Sequence, residues 1–295
     1  MFIRHLFFWI LAAITLPSGA SIMTPSCEEN ALLKAAQKTS SLEDVTYCTH
    51  HKDVLKVDII SPANAQTTNP ALLFIHGGAW SQGDKKEWKG IQLKLAGQGF
   101  VTFSLNYRLN TKDDKGAVLN SYSDQIEDIQ CALRWIYKNR KKYKVNPKRM
   151  GIAGSSSGAH LALLAGLTLE GNDMPSIKAI VSVSGPTDLD ALQVSNPKLN
   201  SLLEKVFRSV DHNSSMKKAS PVTYLKKESP PILSLSGTLD NVVPFDQAER
   251  LDREALKVGA KHTLIKFDNE GHRFSEASRR CATTYLINFF KKILI

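Results

Sequence analysis

Acidic residues are in short supply: Asp and Glu number 28 against 38 Lys and Arg, which leaves a formal charge of +10 over 295 residues. Cysteine is rarer still, at four. No Cys-x-x-Cys, His-Glu-x-x-His or acidic-loop spacing occurs, so no metal and no cofactor is expected. Aromatics make up only 8% of the chain. The densest basic run, Lys138 to Arg149, holds Tyr143 alone among them, too little for the stacking platform of a single-strand binder. The run reads as a solvated face at a helix end, where cations complement the dipole, and nucleic acid is not an expected partner. Weak attraction to an anionic cell surface stays open.

Apolar runs long enough to span a bilayer, about 20 residues, are also missing. Leu6 to Leu16 is shorter, follows the lightly basic Met1-Phe2-Ile3-Arg4-His5, and leads into the small residues of Pro17-Ser18-Gly19-Ala20. Residues 1–20 therefore read as a secretory signal peptide cut after Ala20. The mature chain, 21–295, is expected in a periplasm or outside the cell, with no integral membrane segment. Repeats, low-complexity tracts and linkers are absent, and the length suits one large α/β domain. In an exported chain four cysteines permit disulfides, with three possible pairings. Cys27 with Cys48 is the first to try, because it would pin the N-terminal arm. Cys131 and Cys281 fall on predicted helices and can simply be buried thiols.

What the chain does have is concentrated at Met150 to Leu164, MGIAGSSSGAHLALL. An apolar strand end, Gly-x-Ser-x-Gly and a helix follow one another directly, the pattern of a nucleophile elbow. Of three adjacent serines only Ser156 has glycine two residues to either side, where strand and helix backbones must approach closely. Ser157 then offers a backbone N–H in the first helical turn, which favours an oxyanion.

A serine hydroxyl needs a base, and the base needs a partner that sets its tautomer. In chain order the acid and the histidine should follow on loops after late strands. Of eight histidines, His5, His50, His51 and His76 precede the elbow. His160 is on its helix, His212 in an insertion, and His262 opens a strand. Only His272 lies in a loop after the last strand, and Asp240 follows the strand before it. Gly77 and Gly78, after the apolar strand Ala71 to Ile75, can complete an oxyanion hole with Ser157. His76 then reads as structural, and Arg108 as internally paired. Trp80 is either core or the wall of an acyl pocket, a substrate-binding candidate.

The expected order is a leading arm (21–44) with a helix near Glu28 to Gln37, a hairpin, then strands alternating with helices. An insertion spans Asp190 to Tyr224. That is α/β, a mostly parallel sheet wrapped on both faces.

His76-Gly77-Gly78-Ala79-Trp80, Asn106-Tyr107-Arg108-Leu109, Gly154 to Gly158, Ser184-Gly185-Pro186-Thr187-Asp188, Gly237 to Pro244 and Gly271-His272 together resemble the α/β-hydrolase superfamily. The resemblance is to bacterial carboxylesterases of the hormone-sensitive-lipase-like and feruloyl-esterase-like branches, with kynurenine formamidases as cousins, and runs from about Leu55 to the C-terminus. It implies an eight-stranded α/β-hydrolase fold, Ser156 as nucleophile, Asp240 as acid, His272 as base, and Gly77, Gly78 and Ser157 as oxyanion donors. Ala79 stands where lipase-like relatives have a third glycine, Ser157 replaces alanine and Ala159 glycine; none of these removes a backbone donor. The expected activity is hydrolysis of small carboxylic esters through an acyl-enzyme. A small amidase or formamidase, or a non-catalytic binding module derived from a hydrolase, is the alternative.

Overall fold

The strand Asn69–Ile75 is buried from its second residue to its last, which only a strand covered on both faces can be. It is β4 of a nine-stranded sheet in the computed structural model, which describes residues 21–25, 38–50, 52–63, 65, 68–207 and 216–295. In chain order the other strands are β1 (Ser21–Met23), β2 (Thr39–His50), β3 (Asp53–Pro62), β5 (Val101–Leu105), β8 (Val145–Ser155), β9 (Ile177–Val183), β10 (Ile232–Gly237) and β11 (His262–Phe267). Two short strands, β6 (Thr111–Lys112) and β7 (Val118–Leu119), form a separate ribbon. The sheet runs β1-β11-β10-β9-β8-β4-β5-β3-β2, parallel from β1 to β5 and antiparallel over β3 and β2.

Nine strands replace the expected eight. The extra one is β1, three residues too short to show any alternation, held at the sheet edge by parallel pairing of Ser21 to Met23 with Thr263 to Ile265. The helix expected near Glu28 to Gln37, like the signal peptide expected over 1–20, lies outside the described residues.

Alternation within the strands splits the core in two. Leu73 and Ile75 face one cluster with Ile129, Leu133 and Ile136 of α2 (Tyr122–Lys138) and Leu161 of α3 (Ser157–Thr168). Leu72 and Phe74 face the other, with Leu95 of α1 (Lys89–Ala96) and Leu286 and Phe290 of α7 (Glu276–Leu294). α2 shows the periodicity the sequence predicts, opened by the Ser121 N–H donating to Asp124 Oδ2 at 2.7 Å. It ends at Lys138, short of the expected Lys144, and the basic run continues through turns at 139–144 into the start of β8, with Tyr143 packed inward against Phe103 and Trp135. The insertion carries α4 (Leu189–Ser195) and α5 (Asn200–Phe207) ahead of α6 (Asp246–Val258).

The Cys27–Cys48 pairing is not made. Cys48 is bonded to Cys131, 83 residues further on, and Cys281 too is disulfide-bonded rather than a free thiol. The reason is tertiary: the edge strand β2 lies along α2, so Cys48 meets a residue distant in sequence. Cys27 is outside the described residues.

Candidate active site

β8 lies mid-sheet between β4 and β9 and ends at Ser155. Ser156 follows at φ 52° and ψ −123°, a region that non-glycine residues seldom enter. The turn is tight enough that a Cβ on Gly154 would lie 2.1 Å from the carbonyl oxygen of Gly158. One on Gly158 would lie 2.3 Å from the carbonyl oxygens of both Ile75 and His76. The flanking glycines thus let strand, helix and the loop after β4 meet backbone to backbone.

The loops after β10 and β11 are zipped together: Thr238 N–H donates to Phe267 O at 3.0 Å and Leu239 N–H to Glu270 O at 2.8 Å. This sets Asp240 Oδ2 2.7 Å from His272 Nδ1, and His272 Nε2 3.0 Å from Ser156 Oγ. Asp240 Oδ1 accepts from the N–H groups of Val242 and Val243, each at 2.9 Å. The Asp240 side chain is 1% exposed and that of His272 20%. A carboxylate at Nδ1 can only accept, so Nδ1 carries the proton and Nε2 is free to take that of Ser156.

Gly77 lies close against the elbow: a Cβ there would be 2.9 Å from the carbonyl oxygen of Ser155 and 3.3 Å from the Cβ of Ser156. Gly78, Ala79 and Trp80 all have positive φ, at 121°, 52° and 59°. Among the described residues no backbone carbonyl accepts from the N–H groups of Gly77, Gly78 or Ser157. The loop is braced from behind. Tyr107 stacks on His76 at 4.4 Å between ring centres and its hydroxyl donates to His76 O at 3.1 Å. His76 Nδ1–H donates to Gly77 O at 2.7 Å, and burial pushes its pKa down. The Trp80 carbonyl accepts from Asn110 N–H at 2.8 Å and Gln125 Nε2 at 2.7 Å. Arg108 is internally paired, with Nε and its backbone N–H each 2.8 Å from the Asp128 carboxylate. His262 is structural, held between Asp252 and Ser234 at 2.8 Å each.

Ser156, Asp240, His272, Gly77, Gly78 and Ser157 are therefore brought together. Trp80 is not a pocket wall in the cleft they share. It is 3% exposed, packed edge-on to His160 and Phe207, because the positive φ of the loop swings its indole inward beneath the insertion. The cleft, about 670 Å³, is lined by Gly77, Gly78, Ser156 and His272, and also by Glu87, Ser184, Arg273 and Arg279. Sequence reasoning missed these last four, although Arg273 adjoins His272 and Ser184 opens the Ser-Gly-Pro-Thr-Asp segment. It named Tyr107 and His160 without giving either a bracing role, since a buried brace leaves no mark in chain order. Among the described residues, Cys48, His50 and Cys131 are grouped closely enough to ligate a metal, but the two sulfurs are bonded to each other.

The sequence profile of the BD-FAE family matches residues 57–255. The chain belongs to the BD-FAE family. As a BD-FAE protein it is similar to "Esterase LipC" of Mycobacterium tuberculosis, 29% identical over 239 residues that cover 75% of this chain and 57% of that one. It is similar also to "Probable carboxylic ester hydrolase LipM" of the same organism, 32% identical over 195 residues, 61% of this chain and 43% of that one. The chain spans about half the length of the curated relatives it matches. Among solved structures, the Thermogutta terrifontis esterase Est2 with propionate bound superposes with a TM-score of 0.71 at 21% identity, covering 88% of this BD-FAE chain and 95% of that one. A truncated carbohydrate esterase from gut microbiota gives 0.70 at 24%, covering 88% and 97%. The fold is thus the α/β-hydrolase fold, as the sequence implied.

Proposed function

We propose that this chain is a serine hydrolase that cleaves small carboxylic esters. The observation that carries the reading is the unbroken hydrogen-bonded line Ser156–His272–Asp240 at the mouth of a cleft. His272 Nε2 takes the Ser156 proton as Oγ attacks the ester carbonyl. The oxyanion is received by the N–H groups of Gly77, Gly78 and Ser157, none of which donates to a backbone carbonyl among the described residues. The His272 Nε2–H then protonates the departing alcohol, leaving an acyl group on Oγ. Water, activated by the same nitrogen, releases the acid. Asp240 keeps the imidazole in the productive tautomer throughout. The relatives, an esterase and a probable carboxylic ester hydrolase by name, support the same reading.

The test is turnover of 4-nitrophenyl acetate and butyrate. Ser156→Ala should lower kcat by about 10⁴-fold, and a fluorophosphonate probe should label Ser156. Full activity in that variant would remove the mechanism, and a matched anilide turned over faster than the ester would move the substrate class to amides.

Export belongs to the same proposal. The Cys48–Cys131 disulfide supports an oxidising compartment. Purified from the host's periplasm or medium, the mature chain should begin at Ser21; a chain retained in the cytosol with Met1 intact would sink this part.

A further inference from the structure

Two penalties coincide at Ser184. It leaves β9 at φ 49°, strained for a residue with a side chain, and its buried hydroxyl has no hydrogen-bond partner among the described residues. A buried hydroxyl left unpaired destabilises the free protein, and strain held at a cleft is characteristic of a functional position. Ser184 lines the cleft that holds Ser156 and His272, where a bound molecule would supply the missing partner.

The same cleft is lined by Arg273 and Arg279, both exposed. Arg108, Arg134, Arg250 and Arg280 are each paired with a carboxylate. Among the described residues Arg140, Arg149, Arg253, Arg273 and Arg279 are not, and of these only Arg273 and Arg279 line the cleft. Helix stability does not explain them either. They flank the start of α7, where a helix favours anions over cations. That end is already served by Glu270, whose carboxylate accepts from Ser275 N–H at 2.7 Å, Ser275 Oγ at 2.5 Å and Ser278 Oγ at 2.7 Å. Glu87, also without a cationic partner among the described residues, lines the cleft too and repels an anion from its own part of it.

Resting on the ester-hydrolase reading above, we propose that the preferred ester carries a carboxylate on the part lying against Arg273 and Arg279, with the Ser184 hydroxyl hydrogen-bonded to the substrate. The anionic group orients the ester, and the guanidinium pair raises its local concentration. Neutral acyl esters would then be turned over as poor members of the class.

Two probe pairs cover the two halves of an ester. 4-Nitrophenyl hydrogen adipate against 4-nitrophenyl methyl adipate places the charge on the acyl side. 4-Acetoxybenzoate against 4-acetoxybenzamide places it on the alcohol side. In one pair, the ratio of kcat/KM for the anionic to the neutral ester should fall about tenfold in Arg273→Gln/Arg279→Gln. Arg273→Lys/Arg279→Lys should restore most of it, and added NaCl should lower the wild-type ratio but not that of the Gln variant. Ser184→Ala should raise KM for that pair while leaving Tm unchanged or higher, because it removes an unpaired group. Equal ratios in wild type and the Gln variant for both pairs would overturn the carboxylate proposal, while turnover of the neutral esters would leave the hydrolase reading standing. No turnover of any of the four would overturn both.

Discussion

Trp80 Nε1–H donates to His160 Nδ1 across 3.2 Å of buried space, and His160 Nε2–H donates in turn to the carbonyl of Ala219 at 2.8 Å. One imidazole, four residues after the nucleophile, thereby ties the oxyanion loop to the insertion. The pair of bonds demands a neutral ring, and burial holds the His160 pKa at about 4.

A pH dependence follows. The unfolded histidine titrates near 6.5, so between about pH 4 and 6.5 the unfolded chain binds a proton that the folded chain refuses. Stability is fully present above that window and is lost as pH falls through it, by up to about 3 kcal/mol from this group. His76, shifted the same way by burial, adds to the slope. His160→Phe leaves the Trp80 N–H and Ala219 carbonyl unpaired and should lose about 2–4 kcal/mol at pH 7, with a shallower pH dependence. Urea unfolding at pH 5 and pH 7 measures both; parallel losses in wild type and variant would contradict the assignment.

Asp240→Asn separates charge from packing. The amide oxygen can keep the two bonds from Val242 and Val243, which turns its NH₂ toward His272 Nδ1. Nδ1 must then accept, the proton moves to Nε2, and the base is lost. A fall in kcat of about 10³–10⁴-fold with little change in Tm is expected. Retention of near-full kcat would show that His272 does not depend on this carboxylate.

Two glycines give opposite outcomes for the same substitution. A methyl at Gly158 would lie 2.3 Å from backbone oxygens of Ile75 and His76, atoms that cannot swing aside. Gly158→Ala should displace the oxyanion loop and cost about 10²-fold or more in kcat. Gly90, inside α1, has nothing within 4 Å of an added Cβ. Gly90→Ala should raise stability by up to about 1 kcal/mol with kcat unchanged. Thermal melts and ester turnover on the two variants check the contrast.

The Cys48–Cys131 bond closes 83 residues, which include β3, β4 and β5. Replacing both cysteines by alanine releases that constraint on the unfolded chain and should lower stability by about 2–4 kcal/mol. Since the bond lies at the far sheet edge from the triad loops, ester turnover at 25 °C should persist. A variant as stable as wild type in guanidinium would show that the cross-link does nothing for the fold.

Much of this molecule was legible in one dimension. The elbow could be read at Gly154 to Gly158 because a sharp strand-to-helix turn tolerates few residue types, and His272 and Asp240 stood out by order alone. Parallel strands announced themselves as apolar runs, since burial on both faces removes alternation. β1 escaped because three residues carry no period, and the Cys48–Cys131 pairing because bond formation depends on spatial neighbours. Trp80 could be core or wall until the backbone of its loop was known, and three successive positive φ values turned it inward.

The amino-acid sequence determined which side chains could do the chemistry and on which loops they had to stand, because local backbone demands and residue type are written position by position. Only the tertiary structure decided what surrounds them: the imidazole linking two loops, and, in the cleft, the buried Ser184 hydroxyl and two arginines that find no hydrogen-bond partner or carboxylate among the described residues. Those depend on contacts between segments that the chain brings together only when the sheet closes and the helices pack, and no local pattern encodes them.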